Sequence, residues 1–120
     1  MFTENILIGC DKVKISASAY TLIIYEERFR GRKLIKDIIE IGKIKNVNEI
    51  PFSIQAKLLW ATVKTANENT ADIYEWSQSY DISEIIAAAT KAYGLLCESF
   101  ETRKKVKATA IRRLFRHHRN

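Results

Sequence analysis

The sequence has little proline, glycine, cysteine or histidine: one proline, four glycines, two cysteines and two histidines in 120 residues. Because 47% of it is hydrophobic, it carries enough apolar material to offset the entropy lost on folding, which excludes collagen-like and disordered low-complexity chains. It lacks an apolar run of the roughly 18–20 residues that span a bilayer. Its first five residues lack the basic start of a signal peptide. We therefore expect a soluble, cytoplasmic protein with no membrane partner.

Side chains suited to catalysis or metal binding are scarce. Cys10 and Cys97 lie far apart with no further ligand at metal-binding spacing, so we predict two reduced, partly buried hydrophobes. His117 and His118 are adjacent, and neighbours on a helix project about 100° apart, which makes them a poor metal pair. No glycine-rich phosphate loop or nucleophile motif occurs. We predict no enzyme activity, no catalytic residues, no cofactor and no metal site.

Positive charge is concentrated at the end of the chain. The net charge is +6, but residues 101–120 alone hold eight Lys and Arg against one acid, a balance of +7. The first hundred residues hold twelve Lys and Arg against thirteen acids and are almost neutral. Such an uneven distribution of charge gives information about binding partners and surfaces, and not about the fold. We predict a single domain over residues 1–102 and a basic helical extension over 103–120.

The hydrophobic pattern predicts a small N-terminal β-hairpin. Residues 5–9 and 13–15 are rich in β-branched side chains and flank a turn at residues 9–12. A helical pattern follows, in which Ser16 or Ser18 caps a helix that ends near Phe29 and Gly31.

Further helices are predicted over residues 32–41, ending at Gly42, over 52–67 after Pro51, and over about 72–79. A polar break at residues 67–70 separates the last two. Asp81 and Glu84 form a capping-box pattern that opens a long final helix, and this helix could continue into the basic tail. Its apolar stripe comprises Ile82, Ile85, Ile86, Ala89, Tyr93, Leu96 and Phe100. The fold class is therefore mainly α with a small N-terminal β-hairpin, a compact helical body and a long C-terminal helix.

The aromatic residues of the body and the tail each permit two or more interpretations. Tyr20, Tyr25, Trp60, Tyr74, Trp76 and Tyr93 fall at helical spacings, where aromatics usually form a core and less often an exposed site. The tail could bind nucleic acid phosphates, present an amphipathic helix to a protein, or be a solvated helix end. Its short stripe of Ile111, Leu114 and Phe115 favours a protein, because phosphate binding alone does not need apolar residues.

The order of motifs resembles the tail assembly chaperones of long-tailed siphophages and their prophages. A short β start leads into residues 16–22, followed by Tyr25-Glu26-Glu27-Arg28-Phe29-Arg30-Gly31 and Leu34-Ile35-Lys36-Asp37-Ile38. Residues 58–66 are similar to that family's central helix, and Tyr74-Glu75-Trp76 and Tyr80-Asp81-Ile82-Ser83 precede a long helix. The chain departs from the pattern by an inserted Arg30 and by Arg32-Lys33 where an acid usually follows the glycine.

The resemblance implies a binding function without chemistry. Such chaperones bind the long, aggregation-prone tape measure protein, recruit tail tube subunits around it, and are absent from the mature virion. The implied partners are thus the tape measure and tail tube proteins in the bacterial host cytoplasm, with self-association left open. The alternative is a small basic regulator that binds nucleic acid through its tail, although we expect no nucleic acid partner. The predicted partner-binding residues are Tyr25, Phe29, Trp60, Trp76, Ile111, Arg112, Arg113, Leu114, Phe115 and Arg116.

Overall fold

A computed structural model describes residues 2–101 of the chain. In chain order it contains β1 (Phe2–Ile8), β2 (Asp11–Ala17), α1 (Ala19–Arg28), α2 (Leu34–Lys43), a 3-10 turn (Val47–Glu49), α3 (Phe52–Ala66), α4 (Ile73–Ser77) and α5 (Ile82–Glu101). The predicted fold class, a helical body with an N-terminal hairpin and a long last helix, is confirmed. The predicted helical extension over 103–120, with its six partner-binding residues from Ile111 to Arg116, lies outside the described residues.

The hairpin is longer than predicted and its turn is shorter. Ile8 pairs directly with Asp11 in the antiparallel register, so Gly9 and Cys10 alone form the turn. Gly9 has a φ of 62°, a left-handed conformation that glycine adopts without steric cost. Cys10 is exposed in this turn, contrary to the expectation of a partly buried residue, whereas Cys97 is half-buried.

The first two helices form a corner beside the hairpin. The Ser18 side chain accepts a hydrogen bond from the Tyr20 N–H, and Thr21 accepts one from the Ser18 N–H, so Ser18 is the N-cap of α1. Helix α2 runs past its predicted end at Gly42 as far as Lys43. A Cβ at Gly42 would lie 3.4 Å from the Tyr93 hydroxyl, so α2 passes close to α5 at this position.

Helix α3 lies at the centre of the molecule. It packs against β2, α1, α4 and α5, and its residues Leu58 to Val63 are all buried. One hydrophobic core joins the inner faces of the hairpin and of all five described helices. Within α5, Ile85, Ala89 and Leu96 of the predicted stripe are buried, but Ile82 is exposed because it stands in the first turn, at the edge of the core.

Candidate functional site

The aromatic residues predicted to bind a partner lie in the core. Tyr25, Phe29, Trp60 and Trp76 expose at most 8% of their surface, so they offer a partner little area in this structure. Phe29 makes edge-to-face contacts with Tyr25 and Trp60, with ring centroids 5.1 and 5.6 Å apart. The Trp60 indole N–H donates to the Ala71 carbonyl at 2.9 Å, which gives its polar atom a partner inside the protein. Their burial makes them core residues rather than an exposed partner surface, and one of the four, Phe29, also lines a surface groove described below.

Tyr25 also belongs to a network of polar side chains that joins α1 to α2. The Tyr25 hydroxyl donates to Asp37 Oδ2 at 2.5 Å, and both side chains are buried. Arg32 donates to the same carboxylate from Nε (3.0 Å to Oδ2) and from its terminal nitrogen (2.8 Å to Oδ1). We call these three residues the corner network. A bidentate arginine and a tyrosine leave the buried carboxylate fully bonded, so the network fixes how α2 follows α1.

The corner network shifts the pKa values of its members. Burial alone would raise the pKa of Asp37, but hydrogen bonds from Arg32 and Tyr25 outweigh it and lower that pKa below its ordinary value. Burial, followed by the hydrogen bond and the negative charge of Asp37, raises the pKa of Tyr25 far above its usual range. Asp37 is therefore an anion and Tyr25 a neutral donor at neutral pH, an arrangement that suits structural support rather than proton transfer.

A groove of about 380 Å³ opens between the start of α3, helix α4 and the segment that follows α1. We call it the basic groove because four cationic side chains line it: Arg28, Arg30, Arg32 and Lys57. Arg28 is paired with Asp72 at 2.7 Å and Arg32 with Asp37. Within residues 2–101, Arg30 and Lys57 have no ion-pair partner. Two of the four positive charges are thus without a direct ion pair in this part of the chain, although the charge of Lys57 still acts on Asp37.

Aromatic and small side chains shape the basic groove. Phe52, in the first turn of α3, and Tyr74, in α4, line it as exposed apolar side chains, and Tyr74 is 74% exposed. The Arg28 guanidinium stands 5.0 Å from the Tyr74 ring centroid, close enough for a cation–π contact. Ser53, Ala56 and Ser77 also line the groove, and their small size leaves the space between the two helices open.

A second cleft, of about 300 Å³, is mainly apolar. It lies between the end of α2, the connector that carries the 3-10 turn, and helices α3 and α5. Ile41, Ile44, Val47, Ile50, Leu58 and Tyr93 line it, with Lys45 as its one lysine or arginine. This apolar cleft lacks the convergent charge that distinguishes the basic groove.

Further apolar side chains are exposed away from both clefts. Tyr20 and Ile23 are three residues apart and therefore neighbours on the outer face of α1. Leu7, Ile35 and Ile82 are exposed on the hairpin, α2 and α5. Single exposed apolar residues are ordinary, but paired ones and those lining a groove are the places where a partner can bury surface.

Sequence reasoning missed the four residues that characterise the basic groove: Phe52, Tyr74, Arg30 and Lys57. For Tyr74 a signal existed, because Tyr74 and Trp76 are two residues apart on one helix and must face nearly opposite directions. Once Trp76 is placed in the core, Tyr74 belongs on the surface. Lys57 and Arg30 carried no comparable signal, since a charged residue on a helix or loop is usually just solvated.

Residues 2–101 contain no group of three or more His, Cys, Asp or Glu side chains placed to hold a metal ion. None of the helices in that range is long and apolar enough to cross a membrane.

The chain was compared with protein-family models, with curated proteins and with solved structures, and none of them matches it.

Proposed function

We propose that this protein is a tail assembly chaperone of a siphophage or a related prophage. In this role it binds the tape measure protein in the host cytoplasm, keeps it soluble and recruits tail tube subunits, without joining the mature virion. The proposal assigns binding and no catalysis. It is carried by one observation: the exposed side chains of Phe52 and Tyr74 border a cationic groove on the surface of the helical body.

Some residues of the motifs that carry the resemblance contact one another in the fold. Tyr25 and Asp37, which belong to two of the motifs, are hydrogen-bonded to each other at the α1–α2 corner. Arg32, which stands where the family usually has an acid, pairs with Asp37 and so serves this corner. The motif order is therefore consistent with a shared scaffold, and the departure from it changes the charge beside the groove.

The physical task of such a chaperone is to cover apolar helix faces until assembly. A long helical partner exposes stripes of apolar side chains at intervals of three and four residues. Covering a stripe requires complementary apolar surface, such as Tyr20 and Ile23 on α1 and Phe52 and Tyr74 at the basic groove. Release requires moderate affinity, which small and separate apolar surfaces provide better than one large interface.

Co-expression with the tape measure protein encoded nearest to this gene tests the proposal. We expect the tape measure protein to be soluble and to co-purify when this chain is present, and to aggregate when it is absent. Equal solubility with and without this chain, together with no recovered complex, would refute the proposal. The matched control is an unrelated basic protein of similar size, which should not rescue solubility.

The nucleic-acid alternative rests on the charge of residues 101–120. It predicts DNA or RNA binding that weakens steeply with salt, because each phosphate contact releases a counterion. Protein binding through apolar surface should change little over the same range. A gel-shift series at low and moderate salt separates the two functions.

A further inference from the structure

We propose that the basic groove binds an acidic segment of a partner protein, with an apolar side chain seated between Phe52 and Tyr74 and a carboxylate against Arg30 and Lys57. This inference deepens the proposed function and rests on it for the identity of the partner, but its chemistry follows from the groove itself.

The positive charge of the basic groove determines that its ligand is negatively charged. Arg28 and Arg32 are bonded to Asp72 and Asp37, and these pairs hold the two guanidinium groups in place at the groove. Arg30 and Lys57 have no carboxylate within residues 2–101. The Lys57 ammonium stands 5.2 Å from the Phe29 ring centroid, so it lies beside the buried aromatic cluster. An anionic group entering the groove meets two cations that have no direct ion pair in the described residues, on an already fixed frame, which favours its binding.

The aromatic lining and the open space of the basic groove indicate that the ligand also carries an apolar side chain. Phe52 and Tyr74 supply aromatic surface from two different helices, and the small residues Ser53, Ala56 and Ser77 keep the space between them open. A volume of about 380 Å³ admits one or two side chains rather than a folded domain. Partner-binding sites commonly bury such an anchor in a pocket surrounded by polar contacts.

A protein segment fits these features better than a nucleic acid. Binding to a phosphate backbone usually engages six or more cations along a track, each adding to the salt dependence. The basic groove offers two unpaired cations, and both stand at one short cleft. This arrangement suits one or two carboxylates flanking an apolar side chain.

The test uses the full chain and a short fluorescein-labelled peptide built from glutamate, phenylalanine, leucine and glycine. Fluorescence anisotropy gives its affinity, and a second peptide with glutamine at every glutamate position serves as the neutral probe. A labelled thymidine oligonucleotide is the nucleic acid probe. We expect the acidic peptide to bind at least about tenfold more tightly than the neutral one, about 1.4 kcal/mol.

Matched double variants separate the groove from the basic tail, which attracts any acidic peptide. The groove variant is Arg30→Glu with Lys57→Gln, since glutamine at position 57 avoids placing a new anion near Asp37. The control variant is Lys36→Glu with Lys91→Gln, at exposed positions of α2 and α5. Both change the net charge by the same amount, so attraction to the tail is reduced equally in the two proteins.

The proposal expects the groove variant to lose about tenfold in affinity for the acidic peptide and the control variant less than about twofold. Tyr74→Ala, at an exposed position, should lose several-fold while the fold is kept, as far-UV circular dichroism will show. Equal losses in the two double variants, equal binding of the two peptides, or displacement of the acidic peptide from the groove by the oligonucleotide would each overturn it. The assay contains no tape measure protein, so its failure is distinguishable from failure of the co-expression experiment.

Discussion

The corner network and the basic groove lie side by side and contain the same kinds of residue, but these residues bond to one another in the network and face solvent in the groove. In the corner network, Tyr25 and Asp37 are buried, and the half-exposed Arg32 completes their hydrogen bonds. In the basic groove, Tyr74 is exposed, and Arg30 and Lys57 have no carboxylate partner within residues 2–101. Aromatic side chains thus belong to the scaffold where they are buried, and cationic side chains where they are ion-paired, whereas the exposed Tyr74 and the cations without an ion pair are candidate contacts.

Arg32 links the two regions. Its guanidinium bonds to Asp37 in the corner network, while its side chain also lines the basic groove. A rigid corner therefore supports one side of a binding groove, which lowers the entropy lost when a partner is bound. The experiments below are arranged from the largest expected effect on stability or binding to the smallest.

Trp60→Ala should have the largest effect on stability. Trp60 is buried among Phe29 and α3 neighbours and has its N–H bonded to the Ala71 carbonyl, so truncation leaves a cavity and an unpaired carbonyl. We expect a loss of about 3–5 kcal/mol in the free energy of unfolding, measured by urea denaturation. Tyr74→Ala is the matched control and should change stability by less than about 0.5 kcal/mol. Similar losses of unfolding free energy in the two variants would contradict the assignment of Trp60 to the core and of Tyr74 to the groove surface.

Asp37→Ala tests the corner network directly. The buried Tyr25 hydroxyl loses its acceptor, which costs about 1–3 kcal/mol, and Arg32 loses a bidentate partner while regaining some hydration. We expect a total loss of roughly 2–3 kcal/mol, or about 8–12 °C in melting temperature for a domain of this size. Asp72→Ala removes the exposed pair with Arg28 and should cost at most about 1 kcal/mol. A larger loss at Asp72 than at Asp37 would contradict this assignment.

The corner network should also give a pH dependence of known sign. The pKa of Asp37 is lower in the folded protein than its ordinary value of 3.8. Such a carboxylate stabilises the fold above its unfolded pKa, and this contribution disappears as the pH falls through the folded pKa. The stability difference between the wild type and Asp37→Asn should therefore be constant near neutral pH and shrink below about pH 4. Urea midpoints at several pH values measure it, and a difference that grows on acidification would contradict the depressed pKa.

Deleting residues 103–120 should have the smallest effect on stability. An isolated segment of this length is marginal as a helix, and repulsion among its cations weakens it further. We expect the melting temperature to change little and partner capture to weaken. A large fall in melting temperature would mean instead that Ile111, Leu114 and Phe115 belong to the core.

Most of the fold could be predicted because its boundaries depend on local chemistry. Ser18 caps α1, Pro51 precedes α3, and the polar break at 67–70 follows it, as the sequence indicated. The end of α2 was predicted wrongly because Gly42 looks like a helix stop in sequence. Its packing beside Tyr93 of α5 depends on a contact between residues fifty positions apart.

The candidate site could be predicted far less well. Tyr25, Phe29, Trp60 and Trp76 were chosen by residue type, and residue type does not distinguish a buried ring from an exposed one. The basic groove is formed by residues from the end of α1, the start of α3 and helix α4. Because these segments are distant in sequence, no local sequence pattern predicts the groove. The ion pair between Arg32 and Asp37 is local, because the two residues are five positions apart at the start of α2, but an arginine and an aspartate at this spacing are too common to predict it.

Capture of the tape measure protein by the two matched double variants is the most direct test of the account. The wild-type chain, the groove variant at Arg30 and Lys57, and the control variant at Lys36 and Lys91 are each co-expressed with the tape measure protein and purified through a tag on this chain. The account predicts that the groove variant recovers several-fold less tape measure protein than the wild type, while the control variant recovers about as much. Equal recovery by the two double variants would contradict it.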